Sequence, residues 1–439
     1  MPLTISAAIR VRCAAAALVG GMLLALVILM TASPAAAAVG MTAHCPPPLG
    51  PAIPSVRSLA SFAAALGVKL GSANDQRVFD AAEAAMKASP HGLYVKIAPG
   101  RYRLQRLRFG ANSGYYADAP QTVILQQVRG PADAREEAFV ALDDPYATNW
   151  LFWGLTLDGG WRYGRSPYEA DPEKDPWLDR QHAISFANAV SGRGDECFRA
   201  NSPIGAQTPR GRYGELLIAN FGGDGLRASG AGSQTASAIQ IFRVGGRGMA
   251  WTTYDNNAVM IDIGETGREG FYCGPNCSSN RFEAMKIWYS GTRRRKGSTA
   301  GLVLDRASSN RFSSLQLQDT TGDGVMIDRG QDNSLMLGVQ WQGQIDWMDA
   351  PVAALILKGA KNNRVLLNAS MMFYSSKAYP AVRFLVRDLA SDDATFANGN
   401  ILDIQSDGWP ESAKAFEGPM ESSNRLRLDG VMLNSPAKP

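Results

Sequence analysis

The chain has 439 residues, 19% of them charged, with 45 glycines and a formal net charge of +4. Of that charge, Arg10 and Arg12 lie in the leader, so the body is near +2, which excludes an electrostatic case for nucleic acid. No Gly-x-Gly-x-x-Gly stands between a strand and a helix and there is no phosphate loop, which excludes the two common nucleotide sites.

Residues 1–38 place Arg10 and Arg12 before an apolar run of 18 residues, Cys13 to Met30, and end in Ser33-Pro34-Ala35-Ala36-Ala37-Ala38. That order predicts a secretory signal cleaved near Ala38, and so a secreted or periplasmic protein with no stable membrane span. The rival is an uncleaved anchor, for which the apolar run is barely long enough. Export permits disulfides. Once Cys13 is removed, Cys45, Cys197, Cys273 and Cys277 remain, an even set. Cys273-Gly-Pro-Asn-Cys277 can close a small loop, leaving Cys45 and Cys197 as the second pair. His44, His91 and His182 are too scattered for a zinc site, so no metal site is predicted. Calcium stays open as a ligand of extracellular acid clusters, although no loop has its ligand spacing.

Residues 39–71, with Pro46-Pro47-Pro48 and no firm periodicity, read as a linker. From 75 to 88 the apolar positions Val78, Phe79, Ala82, Ala85 and Met86 share one helical face, with Asn74 as N-cap. A short amphipathic helix here would cover the open end of a solenoid. Leu93 to Ile97 then reads as a strand, followed by the turn Pro99-Gly100-Arg101-Tyr102.

Further on, two motifs recur. Gly225, Gly248, Gly270, Gly301 and Gly324 precede apolar runs at steps of 23, 22, 31 and 23 residues. Out of phase with them stand Asn257, Asn280, Asn310, Asn333 and Asn363, at steps of 23, 30, 23 and 30. Two periods that lengthen together describe one repeated unit with insertions in its loops. The apolar runs are short and β-branched, so the unit is a coil of strands, and the fold class is all-β: a right-handed parallel β-helix over residues 72–433, with a tail at 434–439. Asn280, Asn310, Asn333 and Asn363 are expected to pass amide hydrogen bonds along the stack, a structural role.

Asn74-Asp75, the helix after it and Ile97-Ala98-Pro99-Gly100-Arg101-Tyr102 resemble the entry segment of the pectin-lyase-like superfamily. Gly154-Leu155-Thr156-Leu157-Asp158-Gly159-Gly160 resembles a strand and turn seen widely in that group, which includes polygalacturonases, pectate lyases, alginate C5-epimerases and phage tailspikes. The resemblance covers most of residues 72–433 and specifies the fold, not one reaction. No polygalacturonase-type paired Asp-Asp follows that strand, and there is no Gly-His-Gly.

Equivalent positions in stacked coils lie roughly 4.8 Å apart. The column before the glycines reads Asp224, Arg247, Glu269, Ala300, Asp323. Asp224 and Glu269 would then stand about 9.6 Å apart with Arg247 between them, at the wide edge of an inverting glycosidase pair. Arg247 could also hold a substrate carboxylate, and a charged ladder of this kind can equally be a solvated strand edge. Arg227, Tyr254, Asp255 and Arg268 enrich the same zone as substrate-binding candidates. Asp158 could act as an acid or serve an ordinary turn, and His182 could act as a base or simply pack at a strand start. Trp161, Tyr163, Tyr168 and Trp177 in the insertion 161–181 are candidates to stack on sugar rings. Asp195-Glu196 and Arg293-Arg294-Arg295-Lys296 read as solvated loops. Together these residues and the resemblance predict an exported enzyme acting on a polysaccharide, acidic sugars included. Hydrolysis is favoured over β-elimination, and C5-epimerisation shares the latter's first step. The alternative is a non-catalytic carbohydrate-binding or adhesion solenoid.

Overall fold

The computed structural model describes residues 54–73, 75–128, 138–143, 147, 149–160, 180–187, 211–230, 232–291, 300–341, 352–371, 382–407, 414–419 and 423–433. Among these, the strands form two parallel sheets, one of 17 strands and one of 11. Each regular coil contributes one long strand to the first and one short strand to the second. Gly211–Phe221, Gln234–Val244, Asn257–Thr266, Arg281–Trp288 and Arg311–Gln318 stack in the long sheet. Leu226–Gly230, Met249–Thr253, Phe271–Cys273, Ala300–Asp305 and Asp323–Asp328 stack opposite them. This is the right-handed parallel β-helix expected from the repeats.

Three corners shape each coil, and all three use residues at positive φ. The long strands bend in the middle at Glu215, Ala238, Met260, Ala284 and Ser314, whose φ lies between 49° and 58°. They end at Asn220, Arg243, Glu265, Tyr289 and Asp319, again left-handed. Such a conformation costs a non-glycine residue about 1–2 kcal/mol, so packing elsewhere must hold it. The bend divides each of these five long strands into a first and a second half that face different directions, whereas Ser334–Trp341 and the long strands after it lack the left-handed residue.

The glycine period has a steric cause. A Cβ at Gly225, Gly248 or Gly270 would lie 2.5, 2.2 or 2.3 Å from Ile241, Ile263 or Ile287 of the facing long strand. The two sheets pinch together at this column, and only a residue without a side chain fits. Inside, aromatic rings stack coil on coil, as Phe282 on Phe312 at 4.6 Å between centroids.

The asparagine period marks the third corner. The Asn310 backbone N–H and side-chain amide both donate to Asn333 Oδ1 at 3.0 Å, and the same amide donates to Cys277 O at 2.8 Å. The pattern runs unbroken from Asn256 through Asn280, Asn310, Asn333, Asn363 and Asn400 to Asn424, all buried. Asn257, one residue out of step, is exposed and is replaced in the ladder by Asn256.

At the entry, helix α1 (Leu59–Leu66) and helix α2 (Asp75–Ala88) precede the coils. α2 has the predicted limits and buries Val78, Phe79, Ala82 and Met86. Asn74 lies outside the described residues, and Asp75 does the anchoring, accepting from the amides of Gly71, Ser72 and Arg103 at 2.8, 3.2 and 3.0 Å. The expected linker needs correction. Ser55–Ser58 pairs in parallel with Leu93–Lys96, and α1 follows it with Ser58 as N-cap and Gly67 in the left-handed conformation at its end. Eight residues of Leu, Ala, Ser and Phe carry too short a period to stand out by pattern. At the exit, Val431–Met432 folds back antiparallel on Arg425–Leu428. Cys273 and Cys277 are joined with Cα atoms 5.5 Å apart, whereas Cys45 and Cys197 lie outside the described residues. Among the described residues no helix is long and apolar enough to cross a membrane, and no cluster of His, Cys, Asp and Glu could hold a metal ion.

Candidate functional site

In the second half of the long strands, alternate residues face outward because a strand repeats every two residues. One outward row reads Gln240, Asp262, Lys286, Gln316. The next reads Asp158, Ala219, Phe242, Gly264, Trp288, Gln318. The left-handed bend turns the two halves of each strand toward each other and leaves a cavity of about 460 Å3 along it. Glu215, Gln240, Asp262 and Lys286 supply its polar lining, and Leu216, Met260 and Ile261 its apolar part.

An aromatic shelf stands beside the cavity. The Trp288 indole N–H donates to Asp262 Oδ1 at 2.8 Å, fixing one carboxylate oxygen. The ring lies across Gly264, where a Cβ would come within 2.3 Å of it, and packs on Phe242 at 5.6 Å and Tyr289 at 5.3 Å. A half-buried ring held on its edges leaves a face for an apolar partner such as the C–H side of a sugar. Arg243, paired to Glu265 at 3.0 Å, follows at the corner.

The charged column foreseen from the glycine spacing is present and different in character. Asp224 and Glu269 stand on alternate coils with Arg247 between them. Their side chains are only 6% and 5% exposed. Asp224 Oδ2 accepts from Arg227 Nε at 2.8 Å and its Oδ1 from the Arg247 backbone N–H at 2.7 Å. Glu269 accepts from Arg247 Nε at 3.0 Å and lies 3.6 Å from Arg268 Nε. Burial alone would push the Asp224 carboxyl up, but Arg227 beside it and the two hydrogen bonds hold it below the ordinary range. The Arg247 guanidinium covers the Tyr272 ring at 4.2 Å, and Tyr272 donates to Asp305 at 2.7 Å. Burial and that hydrogen bond push the Tyr272 hydroxyl up to about 12. Both carboxylates are thus committed to arginine and amide donors, with Arg227, Arg247 and Arg268 half-buried over them.

The other candidates fall in three places. His182 Nδ1 accepts the Asp224 backbone N–H at 2.8 Å, which places the ring beneath the charged column, buried with it. Tyr254 and Asp255 sit at the far end of the short strand, next to the asparagine ladder, and are not brought to Arg247. Asp158 shares the outward row of Phe242 and Trp288. It accepts from Gly160 N and Asn220 Nδ2 at 3.0 and 3.1 Å and pairs with Arg101 at 3.5 Å, so it is a turn carboxylate at the N-terminal end of the groove. Trp161, Tyr163, Tyr168 and Trp177 lie outside the described residues, as do Asp195, Glu196 and Arg293 to Lys296. The spacing argument missed Glu215, Asp262, Lys286 and Trp288. The available signal was the outward alternation of the long strands, Gln240-x-Phe242, Asp262-x-Gly264 and Lys286-x-Trp288.

No family model matches the sequence, and no curated protein matches it. Solved structures do match in shape. Tailspike protein 2 of bacteriophage CBA120, described as an enzymatically active domain, superposes with a TM-score of 0.54 at 13% identity over 76% of this chain and 45% of its own. The A-module of a mannuronan C-5 epimerase from Azotobacter vinelandii gives 0.54 at 13% identity, covering 85% of this chain and 98% of that one. A second A-module of that activity from the same organism gives 0.53 over 82% and 99%. This chain spans under half the length of the tailspike. The fold is thus the parallel β-helix that these solved structures share.

Proposed function

We propose that this protein is an exported polysaccharide-active enzyme that holds a glycan along the groove of the second half of the long strands and cleaves it by hydrolysis. The observation that carries the reading is the cavity lined by Glu215, Asp262 and Lys286, with Trp288 bonded to Asp262 at its edge. Glycoside hydrolysis needs two carboxyl groups on opposite sides of the scissile bond. Asp262, with one oxygen fixed by the indole, would act as the base of an inverting pair. Glu215, two coils away at the bend, is placed as the acid. Lys286, exposed beside Asp262, meets an acidic group on the sugar, and Trp288 stacks on a ring. The leader sequence and the Cys273–Cys277 bridge support export.

The similar folds of a tailspike and two epimerase modules support glycan chemistry without choosing the reaction. The test is incubation of the purified protein with neutral and uronic polysaccharides, reading new reducing ends, ultraviolet absorbance and uronate configuration. Reducing ends without absorbance are the expected result. Absorbance from an unsaturated uronate would replace hydrolysis by β-elimination, and a changed uronate without cleavage would replace it by epimerisation. Binding with no chemistry at all would leave the non-catalytic solenoid.

A further inference from the structure

The first half of the long strands carries a different surface. Its outermost column in register runs Asn257, Arg281, Arg311, Ser334, Arg364, Ile401, Arg425. The four arginines are exposed, and among the described residues their side chains make no ion pair and no hydrogen bond. Arg281 and Arg311 are direct neighbours on adjacent strands, roughly 4.8 Å apart. Like charges in that position destabilise a sheet. Other arginines of the coils are given acids: Arg243 has Glu265, Arg247 has Glu269 and Arg306 has Asp305. Within this column the four arginines make no ion pair over five steps of the coil, while Glu283 and Asp403 stand in the next outward column, Asp403 paired there with Arg427.

We propose that this column is a docking strip for an acidic polysaccharide, lying parallel to the axis of the β-helix and separate from the groove. Charge complementarity identifies the chemistry, since each guanidinium offers a planar fork that fits a carboxylate with two hydrogen bonds. The rung spacing is close to the length of one 1,4-linked pyranose, so a uronate chain can set carboxylates against successive or alternate rungs. Ser334 and Asn257, interleaved with the arginines, offer hydrogen bonds to hydroxyls. The described column from Asn257 to Arg425 has no aromatic ring on which bases could stack, which disfavours single-stranded nucleic acid. The choice of a glycan among polyanions rests on the function proposed above, whereas the strip itself does not depend on turnover. Its role would be to retain a long acidic chain whose other segment enters the groove, raising the local concentration there.

The test measures binding of the full chain to polygalacturonate, with amylose as neutral control and duplex DNA and phosphatidylglycerol vesicles as competing polyanions. Replacing Arg281, Arg311, Arg364 and Arg425 together by Ser should weaken polygalacturonate binding at least tenfold at low salt and leave amylose unaffected. The double variants R281S/R311S and R364S/R425S should each show an intermediate loss, which keeps the test open should the fourfold variant fold poorly. Binding should also weaken as salt rises. Affinity within twofold of the wild type in the folded variants would overturn the proposal. So would DNA or vesicles binding more tightly than polygalacturonate through the same arginines. Asp262→Asn separates the two sites: it should abolish turnover and leave strip binding intact, so failure of the groove reading and failure of the strip are told apart.

Discussion

The charged column at Asp224 and the groove row at Asp262 are both vertical stacks of polar side chains on the same few coils, and they differ in where those side chains point. In the column every carboxylate is turned into a guanidinium or an amide, and Asp224 and Glu269 are buried beneath half-buried arginines. In the groove Asp262 has one oxygen fixed by Trp288, while Lys286 stays exposed in the row beside it. Periodic placement alone therefore does not identify a reactive site. What distinguishes one is polar capacity left facing a cavity. The asparagine ladder is the extreme opposite case, with amide donors and acceptors bonded from rung to rung.

That contrast can be broken by substitution. The largest stability effect is expected inside the ladder. Asn310→Leu takes the acceptor from the buried Asn280 backbone N–H and one of two acceptors from its side-chain amide, leaves Cys277 O with the Ser308 N–H alone, and should lower unfolding free energy by about 2–4 kcal/mol. A loss below about 1 kcal/mol by chemical denaturation would show that the ladder carries little. Next, Asp224→Asn removes the buried carboxylate that the half-exposed Arg227 bonds to and should cost about 1.5–3 kcal/mol at neutral pH. Because its folded carboxyl is held low, this contribution is present above the ordinary carboxylate range and lost as pH falls through the folded value. The wild-type and variant curves should therefore converge in acid, and parallel curves would contradict the assignment.

Asp323, in the same column, behaves oppositely. Burial pushes its carboxyl up to about 6 although it accepts the Ala353 N–H at 2.7 Å. A raised folded value means the native state holds the proton longer, so its ionisation lowers stability as pH rises from about 4 to about 6. Asp323→Asn keeps the acceptor and should stabilise by about 1–2 kcal/mol at pH 7, with no gain near pH 4. Thermal midpoints at the two pH values decide it. The smallest expected effect is on binding: Trp288→Ala should raise KM about tenfold with a smaller change in kcat, as befits a stacking platform. An unchanged KM would remove the shelf from the site.

The fold was readable because its causes repeat residue types. The pinch against Ile241, Ile263 and Ile287 demands glycine, and the ladder demands asparagine, so both leave a period. Helix α2 was readable from its apolar face and α1 was not, because eight residues give barely two turns. The groove left no period. Its cavity depends on a bend made by Glu215, Ala238, Met260 and Ala284, residues that seldom signal a left-handed backbone. Its outward row changes identity at every rung, from Gln240 to Asp262 to Lys286. Chemistry at one place on a repeat breaks the repeat, so spacing led to the column that keeps its pattern.

The most direct measurement is the initial rate per folded molecule of Asp262→Asn against that of Glu269→Gln, on the polysaccharide the wild type cleaves. Loss of a positioned acid or base lowers rates by roughly 10²–10⁴-fold. Asp262→Asn should fall in that range while Glu269→Gln, once corrected for its folded fraction, stays within a few-fold of the wild type. The reverse order, with Glu269→Gln inactive and Asp262→Asn active, would contradict the account.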